Sequence, residues 1–278
     1  MNRGAAIVLA LCAVLVLTTA ALISVTVSAG VTRSDSGSSA ADASQGLFKE
    51  IQPVKLSNCE LQRFGEKNDG GYLLCGNLLG DVRAAYSYGI SGYDGWGCDV
   101  SRRLDVYVHQ YDCFDLSQPL CATGKTIFHG ECIGSSAGTR DGRPFDTLAG
   151  HIARNGDRGK QLVIKMDVEG AEWDTLLTAP IDVLRRIDQL AIEFHGFDEQ
   201  RFRRAVRRLK ILFHIAHLHW NNYSCVGDGG PFPAWAYEVL LVNKRIGRLD
   251  PAGRAMLPHA LDAPNAPDRT DCQVASQQ

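Results

Sequence analysis

The chain opens on an unbroken apolar run. From Ala5 to Ala29 there are 25 residues without a charge, and as a helix rising about 1.5 Å per residue they would reach roughly 37 Å, past the bilayer's hydrocarbon core of about 30 Å. Residues 1–30 are therefore expected to form a membrane anchor, with Arg3 favouring a cytoplasmic N-terminus and an exported remainder. A cleaved export signal ending at Val27-Ser28-Ala29 is the alternative, and it exports the remainder too. Apolar periodicity then stops. Residues 31–46, rich in Ser, Ala, Gly and Asp, read as a flexible stalk. Across residues 47–250, apolar, β-branched and aromatic runs return at Ala84–Tyr88, Val106–Tyr111, Thr126–Cys132, Gln161–Met166, Gln189–Phe194, Ile211–Leu218 and Tyr237–Val242, which predicts seven strands. Helical patterns intervene at Phe145–Asn155, Ala171–Leu177 and Glu199–Leu209. Such alternation predicts an α/β domain with a doubly wound, mostly parallel sheet and right-handed crossovers. Residues 251–278 carry several prolines and no period, and read as an irregular tail.

Composition narrows the class. With 45% hydrophobic residues in 278, the chain can bury one sizeable core and is short for two. Lys and Arg (29) nearly balance Asp and Glu (31), for a formal net charge of -2. A nucleic-acid binder would show a strong basic excess, so the basic run Arg201–Arg208 reads as a solvated helix face and a small-molecule or glycan ligand is expected. Beyond Cys12 there are eight cysteines, Cys59, Cys75, Cys98, Cys113, Cys121, Cys132, Cys225 and Cys272. Their even number suits disulfides in an oxidising compartment, with reduced core thiols as the alternative. No CxxC pair occurs, which argues against a zinc site. Asn222-Tyr223-Ser224 is an acceptor sequence for glycosylation.

An open α/β sheet binds ligands outside the carboxyl ends of its strands, at the switch point of strand order. After the first strand comes Gly89-Ile90-Ser91-Gly92-Tyr93-Asp94-Gly95, a turn of small residues through which backbone can approach a ligand. The second strand ends in Asp112, 23 residues past Gly89, where an acid could accept from ribose hydroxyls. Glu131-Cys132 ends the third strand and could flank an adenine ring. The fourth runs through Lys165-Met166 into Asp167-Val168-Glu169-Gly170-Ala171-Glu172, where two carboxylates at the strand's carboxyl end are costly unless they bind something, the alternative being helix capping by Asp167 or Glu169 and a surface position for Glu172. The fifth ends in Glu193-Phe194-His195-Gly196, with His195 placed as a general base. Asp167, Glu193 and His195 could serve an acceptor in this way or ligate a divalent metal, and the sequence leaves both open. His217, His219, Trp220, Asn221 and Asn222, with Trp235, form a polar and aromatic patch that either stacks on a sugar ring or packs as a loop.

Three segments together, Lys165–Glu172, Glu193–Gly196 and Tyr237–Lys244, resemble FkbM-type methyltransferases. The segment Arg63-Phe64-Gly65, with Asp69-Gly70-Gly71-Tyr72, resembles the related methyltransferase-like proteins of eukaryotes. The resemblance spans Leu61 to Lys244. It implies a seven-stranded Rossmann-like sheet with a reversed last hairpin, S-adenosylmethionine as cofactor, and O-methylation of a sugar or small molecule. On that reading Gly89, Ser91, Gly92, Asp112, Glu131, Asp167 and Glu169 hold the cofactor, while His195, Glu193 and Asp167 serve the acceptor, with no metal assigned. One departure is visible: the family's acid-x-Gly-x-Gly turn is here Tyr86-Ser87-Tyr88-Gly89-Ile90-Ser91-Gly92, with no acid before the glycine. Competing classes fit less well. A dinucleotide oxidoreductase would want GxGxxG, and a metal-dependent glycosyltransferase an Asp-x-Asp triplet; neither occurs. An exported recognition domain without catalysis is the second reading.

Overall fold

The computed structural model describes residues 40–227 and 230–272, so the anchor expected within residues 1–30 lies outside the described residues. Among the described residues no helix is long and apolar enough to cross a membrane. In chain order the elements are α1 (Ala40–Glu50), β1 (Leu61–Phe64), β2 (Tyr72–Cys75), β3 (Val82–Tyr88), α2 (Gly95–Leu104), β4 (Tyr107–Tyr111), β5 (Lys125–His129), β6 (Cys132–Ile133), β7 (Gly138–Arg140), β8 (Arg143–Asp146), α3 (Leu148–Arg154), β9 (Gln161–Met166), α4 (Glu172–Thr178), α5 (Ile181–Leu184), β10 (Ile187–His195), α6 (Gln200–Leu209), β11 (Phe213–Trp220) and β12 (Ala236–Asn243).

The main sheet has seven strands in the order β11-β12-β10-β9-β3-β4-β5. Strands β10, β9, β3, β4 and β5 run parallel, and β12 is antiparallel to both of its neighbours, β10 and β11. This is a Rossmann-like arrangement with a reversed last strand. Its central strands are covered on both faces and therefore read as continuous apolar runs: all nine residues of β10 are buried. One face packs against α1, α3, α4 and α6 through residues such as Leu47, Ile51, Leu148, Trp173, Leu176 and Phe202. The other packs against the β1–β2 hairpin and α2 through Phe64, Tyr72, Leu74, Trp96 and Val100. From β3 the chain winds outward through β4 to β5, then returns to β9 on the opposite side of β3, so the switch point falls between the carboxyl ends of β3 and β9.

Four local expectations are corrected. Residues 40–46 are not stalk but the start of α1, which buries Ala43, Ser44 and Gly46 ahead of Leu47 and Phe48. The third main-sheet strand stops at His129; Cys132–Ile133 pair instead with Phe145–Asp146 in a separate small sheet. That pairing removes Phe145 and Asp146 from the expected helix, which begins at Leu148 behind the Thr147 cap. Finally, Asn222 is 3% exposed and its amide donates to the carbonyls of Ala266 and Arg269. A glycan there is incompatible with the packed tail.

All eight cysteines outside the apolar run are paired, as Cys59–Cys75, Cys98–Cys121, Cys113–Cys132 and Cys225–Cys272. Four disulfides in one domain fit an exported protein in an oxidising compartment. The last of them ties the tail to the loop after β11, where Asn265 and Ala266 are buried.

Candidate functional site

A cavity of about 220 Å³ opens at the switch point. Gly89, Ser91, Asp112, Glu131, Asp167 and Glu169 all line it, together with Tyr88, Tyr111, Phe114 and Phe145. The sequence thus assembled six of its seven expected cofactor residues in one place. Gly92 stands behind the wall, where a Cβ would lie 2.7 Å from the Asp115 carboxylate.

The floor is set by Gly89. It adopts φ +70°, and a Cβ there would lie 1.5 Å from the Asp167 carbonyl oxygen, so β3 and β9 can close together at this level only around a glycine. Lys165, a buried residue of β9, donates to the carbonyl of Gly89 at 2.6 Å and holds the turn from below.

Asp112 holds the turn from above. Its Oδ2 accepts from the backbone N–H groups of Ile90 (3.0 Å) and Ser91 (2.8 Å), and its Oδ1 from Phe114 (2.8 Å) and Asp115 (3.0 Å). A carboxylate offers about four lone-pair sites, and all four are engaged with backbone. Asp112 therefore shapes two loops of the cavity, and the expected contact with ribose hydroxyls is not available in this geometry. Asp112→Ala is expected to leave four N–H groups without their acceptor and to speed amide exchange at Ile90, Ser91, Phe114 and Asp115 at least tenfold, read by hydrogen–deuterium exchange. Unchanged protection would show that the loops stand without it.

Glu131 meets the cavity's edge, with its carboxylate 2.5 Å from Arg154 and 3.6 Å from His151 Nε2. Behind it Tyr111 stacks on His129 (ring centroids 4.4 Å) and on His151 (4.1 Å). Burial, aided by Arg154's charge, pushes His151 down to about 4, and burial with His109 alongside does the same for His129. Both rings are neutral when folded, whereas an unfolded histidine titrates near 6.5. Between those values the unfolded chain binds more protons, so stability is complete above about pH 6.5 and falls as the pH drops toward 4. For His151, wholly buried, the loss should be of order 3 kcal/mol by pH 4. Melting temperatures from pH 7.5 to 4.5 should fall accordingly, and less steeply in His151→Phe; parallel curves would contradict this.

Next to the cavity, the ends of β9 and β10 gather a second group. His195 is buried, and its Nδ1 lies 3.2 Å from Glu172 Oε1, which also accepts the His195 backbone N–H at 2.8 Å. Its Nε2 faces Glu169 Oε2 at 3.5 Å, Asp167 Oδ1 at 3.8 Å and Glu193 Oε1 at 3.8 Å. Burial draws the imidazole pKa down, but the Glu172 hydrogen bond and the surrounding carboxylates outweigh it and leave His195 above its ordinary value. Glu193 is pushed well above the usual carboxylate range by burial, reinforced by the charges of Asp167 and Glu238. Its Oε1 accepts from Asn221 at 2.7 Å, and the Tyr72 hydroxyl donates to Asp167 Oδ2 at 3.1 Å. His195, Glu193 and Asp167 are thus brought together as expected.

Sequence reading missed four members. Glu172 is fully buried and not a surface acid, because the His195 N–H and ring both need its oxygen. Lys165, Tyr72 and Asn221 orient the turn, Asp167 and Glu193. Of the two readings of the polar and aromatic patch, the packed loop holds. His217 pairs with Asp262 of the tail at 2.9 Å, His219 with Glu238 at 3.4 Å, and Asn221 and Asn222 are buried. Trp220 packs against Phe48, Phe232 and Tyr237. Only Trp235 is left exposed, its ring 5.3 Å from His195. No protein-family model matches this sequence, and no curated protein matches it.

Proposed function

We propose that the protein is an S-adenosylmethionine-dependent O-methyltransferase acting on a sugar or small-molecule hydroxyl. The observation that carries this reading is the juxtaposition, at the switch point of a Rossmann-like sheet with a reversed last strand, of the Gly89 cavity and the His195 cluster at the next strand ends. The first would hold the methyl donor and the second the acceptor. In the reaction the acceptor oxygen attacks the sulfonium methyl in line. The carbon–sulfur bond breaks as the carbon–oxygen bond forms, and the hydroxyl proton leaves to the His195 cluster. Holding donor and acceptor in line can supply about 7–11 kcal/mol. The apolar run of residues 1–30 would tether the domain to a membrane, facing the secretory lumen or the cell exterior.

One observation favours a second reading. With Asp112 committed to backbone and no acid ahead of Gly89, the carboxylate expected to meet ribose hydroxyls is engaged elsewhere, as expected of an exported recognition domain whose donor site has lapsed. Methyl transfer separates the two. The full-length chain under oxidising conditions, given labelled S-adenosylmethionine and a panel of free sugars, glycosides and small alcohols, should form S-adenosylhomocysteine and methyl ether in equal amounts. A folded chain that forms neither with any acceptor would favour the recognition domain.

A further inference from the structure

We propose that Asp167, Glu169 and His195 bind one divalent first-row metal ion. The geometry is that of a shared ligand. His195 Nε2, Asp167 Oδ1 and Glu169 Oε2 all lie within 4.8 Å of one another, and Glu193 Oε1 stands 3.8 Å from Nε2 as a fourth donor. The separations from Nε2, 3.5 to 3.8 Å, exceed the 2.7–3.2 Å of a good N–H···O bond. A single proton on Nε2 could not serve three carboxylates at once. Two ligands each about 2.1 Å from an ion sit roughly 3.0 Å apart at a right angle and 3.4 Å apart at the tetrahedral angle, so each carboxylate–Nε2 separation stands within a few tenths of an ångström of the tetrahedral value, and the carboxylate oxygens, within 4.8 Å of one another, close further around the ion.

The surroundings match a ligand's supports. His195 Nδ1 is held by Glu172, wholly buried, whose second oxygen accepts the Gly170 N–H at 2.9 Å. A carboxylate on the far ring nitrogen fixes the tautomer and orients the ring, leaving the Nε2 lone pair for a metal. Lys165 and Tyr72 occupy Oδ2 of Asp167, which leaves Oδ1 for the cluster. The Lys165 charge, also committed to the Gly89 carbonyl, limits affinity without entering the donor set. One imidazole with carboxylates, and no thiolate because the described cysteines are paired, suits Mn²⁺ or Zn²⁺. Binding itself stands apart from the methyltransferase reading; that the ion would hold the acceptor oxygen rests on it, and with Nε2 on the ion the hydroxyl proton would pass to a carboxylate of the cluster.

The test uses the full-length chain stripped with a chelator and titrated with Mn²⁺, following the free-ion electron paramagnetic resonance signal. One saturable site per chain is expected. Glu169→Gln, on a largely exposed side chain, should weaken it at least tenfold without disturbing the fold. Glu172→Gln, which touches no ion, should weaken it about 10–100-fold by releasing His195, and Glu60→Gln, at an exposed acid outside the cluster, should not. Absence of saturable Mn²⁺ and Zn²⁺ binding in a folded chain, or binding that Glu169→Gln and Asp167→Asn both leave intact, overturns the proposal. Binding of S-adenosylmethionine to the same stripped chain would then show that the ion failed and the methyltransferase reading did not.

Discussion

Gly89→Ala should be the most damaging single methyl group that can be added near the cavity. The new Cβ would stand 1.5 Å from the Asp167 carbonyl oxygen, and the clash is with backbone directly after the central strand β9. Rotating away is not open to it, because φ +70° already lies where a side chain is disfavoured. The left-handed conformation alone costs of order 1–3 kcal/mol. Parting β3 from β9 would add to that, since Asp167 N–H donates to the Tyr88 carbonyl at 3.1 Å and would lose its partner. We expect a loss of about 4 kcal/mol or more in chemical denaturation, within the range that marks a specific structural fault, and no donor binding in whatever folds. Gly170→Ala is the comparison. Gly170 also has positive φ, but nothing lies within 4 Å of its Cβ position, so it should pay only the conformational cost. Equal effects at the two positions would refute the close approach.

The second large effect concerns chemistry. On the proposed reading, His195→Gln should lower methyl transfer by roughly 10² to 10⁴-fold while leaving donor affinity within about twofold, because His195 does not line the Gly89 cavity. Its ring is fixed by Glu172 on one side and faced by three carboxylates on the other. Glutamine keeps the bulk and loses the second nitrogen. Unchanged turnover, or a parallel loss of donor binding, would remove His195 from the acceptor side.

Much of this was legible in the chain. The strand Gln161–Met166 was placed to the residue, since a buried parallel strand carries its apolar run without interruption. Asp167, Glu193 and His195 could be assigned to one cleft from the rule that strand ends converge. What stayed hidden depends on partners distant in sequence. Glu172 looks like an exposed helical acid until the end of β10 is laid against it. Asp112 looks free until both flanking loops fold onto its oxygens. His217, Asn221 and Asn222 read equally as a binding surface or a packed loop until the tail, anchored by Cys225–Cys272, covers them. Helix α1 was the one local miss with a local signal: Ala43, Leu47 and Ile51 recur every four residues, beneath a composition that reads as linker.

The most direct measurement is calorimetric titration of the full-length chain, disulfides intact, with S-adenosylmethionine and S-adenosylhomocysteine. Saturable binding of both at one site per chain, weakened at least tenfold in Asp112→Ala as the two cavity loops loosen, is the predicted result. A folded chain that takes up neither compound would contradict the account and leave an exported domain with another task.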